Sequence, residues 1–186
     1  MHTRFTQMVL LLPSLLCLAA CSPSQNSTET GPPALITAAE QGDILKIEQL
    51  LANQDPVDSR DSCHWTPLMK AALNGHTKAA AELMDAGAGL DLVDKGGYTA
   101  LMLAASNNHV ELVKSLLARG ANPNLQESTK GWTALIWAAK RGHLESVSAL
   151  ISAEADKEIT DFNGNTARTW AKQNSHPEVI RLLNSS

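Results

Sequence analysis

Asp94-Lys95-Gly96-Gly97-Tyr98-Thr99-Ala100-Leu101 returns along the chain at near-constant spacing, and that recurrence decides the fold. Its anchoring threonines are Thr66, Thr99, Thr133 and Thr166, separated by 33, 34 and 33 residues. A fixed period of this size marks a repeat architecture, in which each unit buries its apolar face against its neighbours. It also turns the functional question away from catalysis and toward recognition by a surface.

Each threonine opens the same pattern. Thr66-Pro67-Leu68-Met69-Lys70-Ala71-Ala72 matches Thr99-Ala100-Leu101-Met102-Leu103-Ala104-Ala105 and Thr133-Ala134-Leu135-Ile136-Trp137-Ala138-Ala139. Threonine caps a helix by accepting a backbone N–H, and Pro67 falls at the first helical position, where a missing donor costs nothing. The paired alanines let this helix approach its neighbours closely. Asn74-Gly75-His76, Asn107-Asn108-His109 and Arg141-Gly142-His143 then read as turns, and a second helix follows, clearest from Val110 to Leu117. Gly87-Ala88 and Gly120-Ala121 end that second helix, whereas Glu154 stands where a glycine is expected, which predicts a left-handed backbone for a glutamate. The 34-residue step places one extra residue in the loop Gln126–Lys130, where insertions are tolerated.

These motifs resemble ankyrin repeats. The pattern Asp-x-x-Gly-x-Thr-Pro-Leu-His-x-Ala-Ala, then Gly-His, then Leu-Leu-x-x-Gly-Ala-x-x-Asn, is met closely in residues 94–124. The resemblance implies an all-α ankyrin-repeat solenoid of about five helix-turn-helix repeats with hairpin-like finger loops. It covers residues 34–186, with repeats near 34–60, 61–93, 94–126, 127–160 and 161–186. Met69, Met102 and Ile136 replace the family histidine, so the usual threonine–histidine bonds are expected to give way to apolar packing.

The leader sets the address. Arg4, the apolar run Val9–Leu16 and the small residues before Cys21 read as an export signal over residues 1–20. Leu18-Ala19-Ala20-Cys21 resembles the lipobox of bacterial lipoproteins, which implies palmitate or a similar acyl chain on Cys21 and attachment to the cell envelope facing the periplasm. Because Ser22 is not aspartate, the resemblance favours the outer membrane over the inner. Residues 21–33 lack large apolar side chains and read as a flexible tether. Cys17 falls in the leader and Cys21 at its end, so packing rather than disulfides is expected to hold the domain.

Composition narrows the partner. Removing Arg4 with the leader takes the formal net charge from −4 to −5, which disfavours nucleic acid. The phased histidines His76, His109, His143 and His176 cannot share a metal, because stacked helices stand about 8–10 Å apart and zinc needs its ligands within about 2 Å. They are expected to bond backbone at the turns. No cofactor or catalytic motif is present, and the adjacent Cys63-His64 is the nearest thing to a reactive pair.

The aromatics are one-sided. Trp65, Tyr98 and Trp132 share the position before the capping threonine, Trp137 and Trp170 share another on the first helix, and Phe162 lies in the last finger. In the ankyrin family that half lines the concave, partner-binding surface. Trp65, Tyr98, Trp132, Trp137, Phe162, Lys140 and Arg141 are therefore the expected contacts for a protein partner of acidic or mixed character. Exported relatives imply two specific roles: an inhibitor of a secreted toxin, or a support factor for a periplasmic oxidative-stress enzyme.

Overall fold

Ten helices in five antiparallel pairs make up the described residues, 31–185, of a computed structural model. The leader, the lipobox cysteine and most of the tether fall outside them. The first helices of the pairs are α1 (Ala34–Gln41), α3 (Pro67–Asn74), α5 (Ala100–Ser106), α7 (Ala134–Arg141) and α9 (Ala167–Gln173). The second helices are α2 (Ile44–Ala52), α4 (Thr77–Asp85), α6 (Val110–Ala118), α8 (Leu144–Ser152) and α10 (Pro177–Asn184). Each helix packs on the equivalent helix of the next pair, which gives two stacked layers, and the described residues contain no strand.

Helices this short are marginal alone and hold only when capped and packed. Thr66, Thr99, Thr133 and Thr166 accept from the backbone N–H of Met69, Met102, Ile136 and Thr169 at 3.2–3.3 Å, each cap contributing about 1 kcal/mol. The alanine pairs 71–72, 104–105 and 138–139 have no solvent exposure, so the first helices meet backbone to backbone. Leucines fill the space between layers, with Leu83, Leu116 and Leu150 fully buried at matching positions of the second helices. Thr66 N–H also points at the Met69 sulfur, 3.4 Å away, and the Thr166 and Thr169 hydroxyls meet at 3.2 Å. Two repeats thus keep a polar version of the missing threonine–histidine bond, which corrects the expectation of purely apolar packing.

The histidines bond backbone, but across repeats rather than within a turn. His76, His109, His143 and His176 place Nε2 at 3.1 Å from the carbonyls of Glu40, Leu73, Ser106 and Lys140, the last turn of the preceding first helix. Each ring also lies flat against the turn before it. Gly75 has φ +72°, and a Cβ there would sit 2.5 Å from the His109 ring, so only glycine fits; Gly42 and Gly142 are crowded in the same way. Asn108 replaces that glycine once, at φ 58°, and its side chain accepts from the buried Ser146 hydroxyl at 2.9 Å. Ser175 replaces it at the last turn, where no later repeat crowds it.

Fingers between the pairs are closed by one acid each. The Asp61 carboxylate accepts from the N–H of Cys63 and Trp65, Asp94 from Gly96 and Tyr98, and Asp161 from Asn163 and Asn165, all within 2.8–2.9 Å. In the third finger Glu127 does this work for Thr129, Lys130 and Trp132, one residue further on, which puts the extra residue inside the expected loop. Single backbone bonds, Lys95 to Cys63, Ser128 to Gly96 and Phe162 to Lys130, join each finger to the one before. Cys63 is disulfide-bonded, which corrects the expectation that packing rather than disulfides holds the domain.

Two outcomes follow for stability. Glu154 has φ 58°, as expected, at the position that Gly87 and Gly120 fill with open space around them. Glu154→Gly raises the stability by about 1 kcal/mol in a thermal or urea melt. Burial pushes the His143 imidazole below its ordinary pKa, aided by Arg141 and His176 and opposed by the Ser106 carbonyl and Glu145. The unfolded chain therefore takes up that proton first. The contribution is whole above pH of about 6.5 and is lost as pH falls through the folded value, and His143→Gln flattens this part of a stability–pH curve.

Candidate protein-interaction face

The fingers and the first helices share one side of the solenoid, and the aromatics gather there. Equal spacing in sequence becomes adjacency in space, because each repeat moves a given position by one stack step. Tyr98 and Trp137 have ring centroids 6.0 Å apart, Trp137 and Trp132 4.6 Å, and Trp132 and Trp170 5.1 Å, the last two pairs edge to face. Four aromatics from three repeats thus form one chain of ring contacts, each pair contributing about 0.5–1.5 kcal/mol beyond its burial.

Cations cover the rings. Lys130 Nζ stands 4.3 Å from the Trp132 centroid, Lys140 Nζ 4.7 Å from that of Trp170 and 5.5 Å from that of Trp132, and Arg141 5.5 Å from that of Trp137. Lys70 repeats the arrangement over Trp65 at 4.8 Å. Attraction to the ring faces holds Lys130, Lys140 and Arg141 in place without an ion pair among the described residues, whereas Lys70 also pairs with Glu40. Burial, with the neighbouring charges of Lys130 and Arg141, pulls Lys140 below its ordinary pKa.

The expected contact residues divide into two groups. Trp65, Tyr98 and Trp137 are half-buried, with part of each ring in solvent, Lys140 is half-buried, Arg141 is exposed, and Phe162 is 65% exposed at a finger tip. Trp132 differs. It is only 3% exposed, and its indole N–H donates to Asp161 Oδ2 at 3.1 Å, where Trp170 N–H arrives at 2.9 Å. Trp132 is thus a clamp between the last two fingers rather than the surface-loop side chain its register suggests. The reason lies in its neighbours: Trp137 and Trp170 pack edge to face on the ring, and Asp161 takes its N–H. Arg168, on α9, donates its guanidinium to Asn184 at the end of α10.

Asp161 is the residue the sequence did not flag. Desolvation pushes its carboxyl up, but the Asn165 N–H and the two indole N–H groups outweigh it and hold the pKa below the ordinary carboxylate value. Asp94, the equivalent acid two fingers earlier, has no indole donors, and burial drives it up despite the N–H groups of Tyr98 and Gly96.

Two shallow depressions of about 510 and 530 Å3 lie over the second helices, lined by residues such as Leu144 and Ser148, away from the aromatics. Among the described residues no group of three or more histidines, cysteines or acids could hold a metal, and no helix is long and apolar enough to cross a membrane.

Removing the Asp161 charge tests the clamp. Asp161→Asn costs about 3 kcal/mol in denaturant unfolding followed by tryptophan emission, which shifts to the red as Trp132 opens to water. A carboxylate with a depressed pKa stabilises above its ordinary value and loses that contribution as pH falls through the folded one, so the acid sensitivity of the parent at the C-terminal end is smaller in the variant.

Comparison with curated proteins yields no match. The family model for ankyrin repeats matches three times, over residues 10–94, 35–127 and 102–186, in agreement with the capped helix pairs and fingers. Ankyrin repeats are generally protein–protein interaction modules and typically not enzymes, and this chain belongs to the ankyrin-repeat family.

Proposed function

We propose that the chain is a non-catalytic module that holds a protein partner on the face made by the fingers and first helices, outside the cytoplasm and tethered through a lipid on Cys21. The observation that carries the reading is the partly exposed rim of Trp65, Tyr98 and Trp137, with Phe162 exposed beside it, on that one face. Large aromatics held by ring contacts lose little freedom on docking, which favours affinity. The second helices offer no comparable surface: they bear no aromatic residue, and their exposed positions include Lys78, Glu111, Glu145 and Glu178. Lys114 and Arg181 on them are already paired with Glu111 and Glu178.

The tether is supported by the lipobox-like Leu18-Ala19-Ala20-Cys21 and the polar stretch after it. A short flexible link to a membrane raises the local concentration of the module there.

Photo-crosslinking amino acids at Tyr98 and Arg141 should trap a discrete partner in intact cells, whereas the same group at Lys78 or Glu111 should not. Trapping only from the second-helix positions would remove this face from consideration. Metabolic palmitate labelling should mark the parent and miss Cys21→Ser.

A further inference from the structure

The cations of the aromatic face are not balanced by acids. Among the described residues the ion pairs are Lys70 with Glu40, Lys114 with Glu111, Arg119 with Asp85, and Arg181 with Glu178. Lys130, Lys140 and Arg141 appear in none of them. The acids closest in the fold are already committed. Glu127 is fully buried and accepts from the Thr129, Lys130 and Trp132 backbone, and Asp161 is filled by two amides and two indoles. Three cations therefore crowd one patch, and the mutual repulsion of Lys140, Lys130 and Arg141 is built into the free protein.

Crowded, partly dehydrated cations are relieved by an arriving anion. Arg141 offers a planar fork suited to a carboxylate, and the lysines offer point charges on either side. Beside them the Trp137 indole N–H is buried and has no acceptor among the described residues. Phe162 and the open edges of Tyr98 and Trp137 flank the charges with apolar surface. The opposite layer and its turns carry many of the acids, including Asp85, Asp91, Glu111, Glu145, Asp156 and Glu158, which would repel a long polyanion.

We propose that Lys130, Lys140 and Arg141 receive an acidic protein segment, carboxylates alternating with apolar side chains, across the third to fifth repeats. The segment's carboxylates meet the cations, and its apolar side chains lie on Tyr98, Trp137 and Phe162. The assignment rests on the reading of this face as the partner surface and adds the charge and composition of what it binds.

A blocked ten-residue peptide of alternating glutamate and leucine serves as the probe, with lysine–leucine and serine–leucine versions and a single-stranded oligonucleotide of equal charge beside it. Binding is read by tryptophan emission and calorimetry at two salt concentrations. The glutamate peptide should bind best and weaken with salt, and K140Q/R141Q should weaken it about tenfold while Lys78→Gln leaves it unchanged. Circular dichroism and the melting temperature confirm that the variants are folded, and Arg141→Lys, which keeps the charge, should recover part of the loss.

The outcomes separate the two levels of the reading. Equal binding of the serine or lysine peptide, or tighter binding of the oligonucleotide, overturns the acidic segment. If Trp65→Ala and Tyr98→Ala still abolish capture of the serine peptide, the face survives as a docking surface. Undiminished glutamate-peptide binding by folded K140Q/R141Q, with loss in Lys78→Gln, sinks both.

Discussion

The fit of a histidine ring against the turn of the preceding repeat governs the rest of this structure. It brings Nε2 to a carbonyl that the helix end would otherwise leave unpaired, and it sets the distance at which successive first helices meet. At that distance only alanine fits between the helices, and glycine is required at the turn. One contact, repeated, thus explains the alanine pairs and the glycines. Where it is modified, as at Asn108, a local substitute appears in the bond to Ser146.

Regular stacking also explains how a site arises without a pocket. Residues a whole period apart become neighbours, so a ring row needs no long-range folding beyond the stack itself. The fingers are stiffened by one acid each, which uses up the carboxylates on this side. What remains toward solvent is aromatic and cationic. The electrostatic character of the face is therefore a by-product of how its loops are built.

Much of this was legible in the chain itself, and the failures have physical causes. The helix pairs, the threonine caps, the left-handed Glu154 and the extra finger residue all follow from local rules applied in register. Trp132 misleads because register fixes where a residue starts and leaves its depth open; depth depended on Trp137, Trp170 and Asp161, which close around the ring. The histidines misled in a milder way, since backbone bonding was expected but the carbonyl belongs to another repeat. Asp161 was invisible because its importance comes from two indole groups that approach from different elements. Periodicity reveals equivalent positions, and the functional differences between them lie in the neighbours.

The convergence of Trp132 and Trp170 on one carboxylate, with Trp137 in ring contact beside them, has an optical consequence. Three of the four indoles in the chain sit in the fourth and fifth repeats, and only Trp65 lies earlier. Intrinsic emission of this solenoid is thus a gauge mounted at one end. Fraying that begins at the uncapped Pro33 start of α1 would pass almost unseen by such light, while amide signals from the whole backbone would register it.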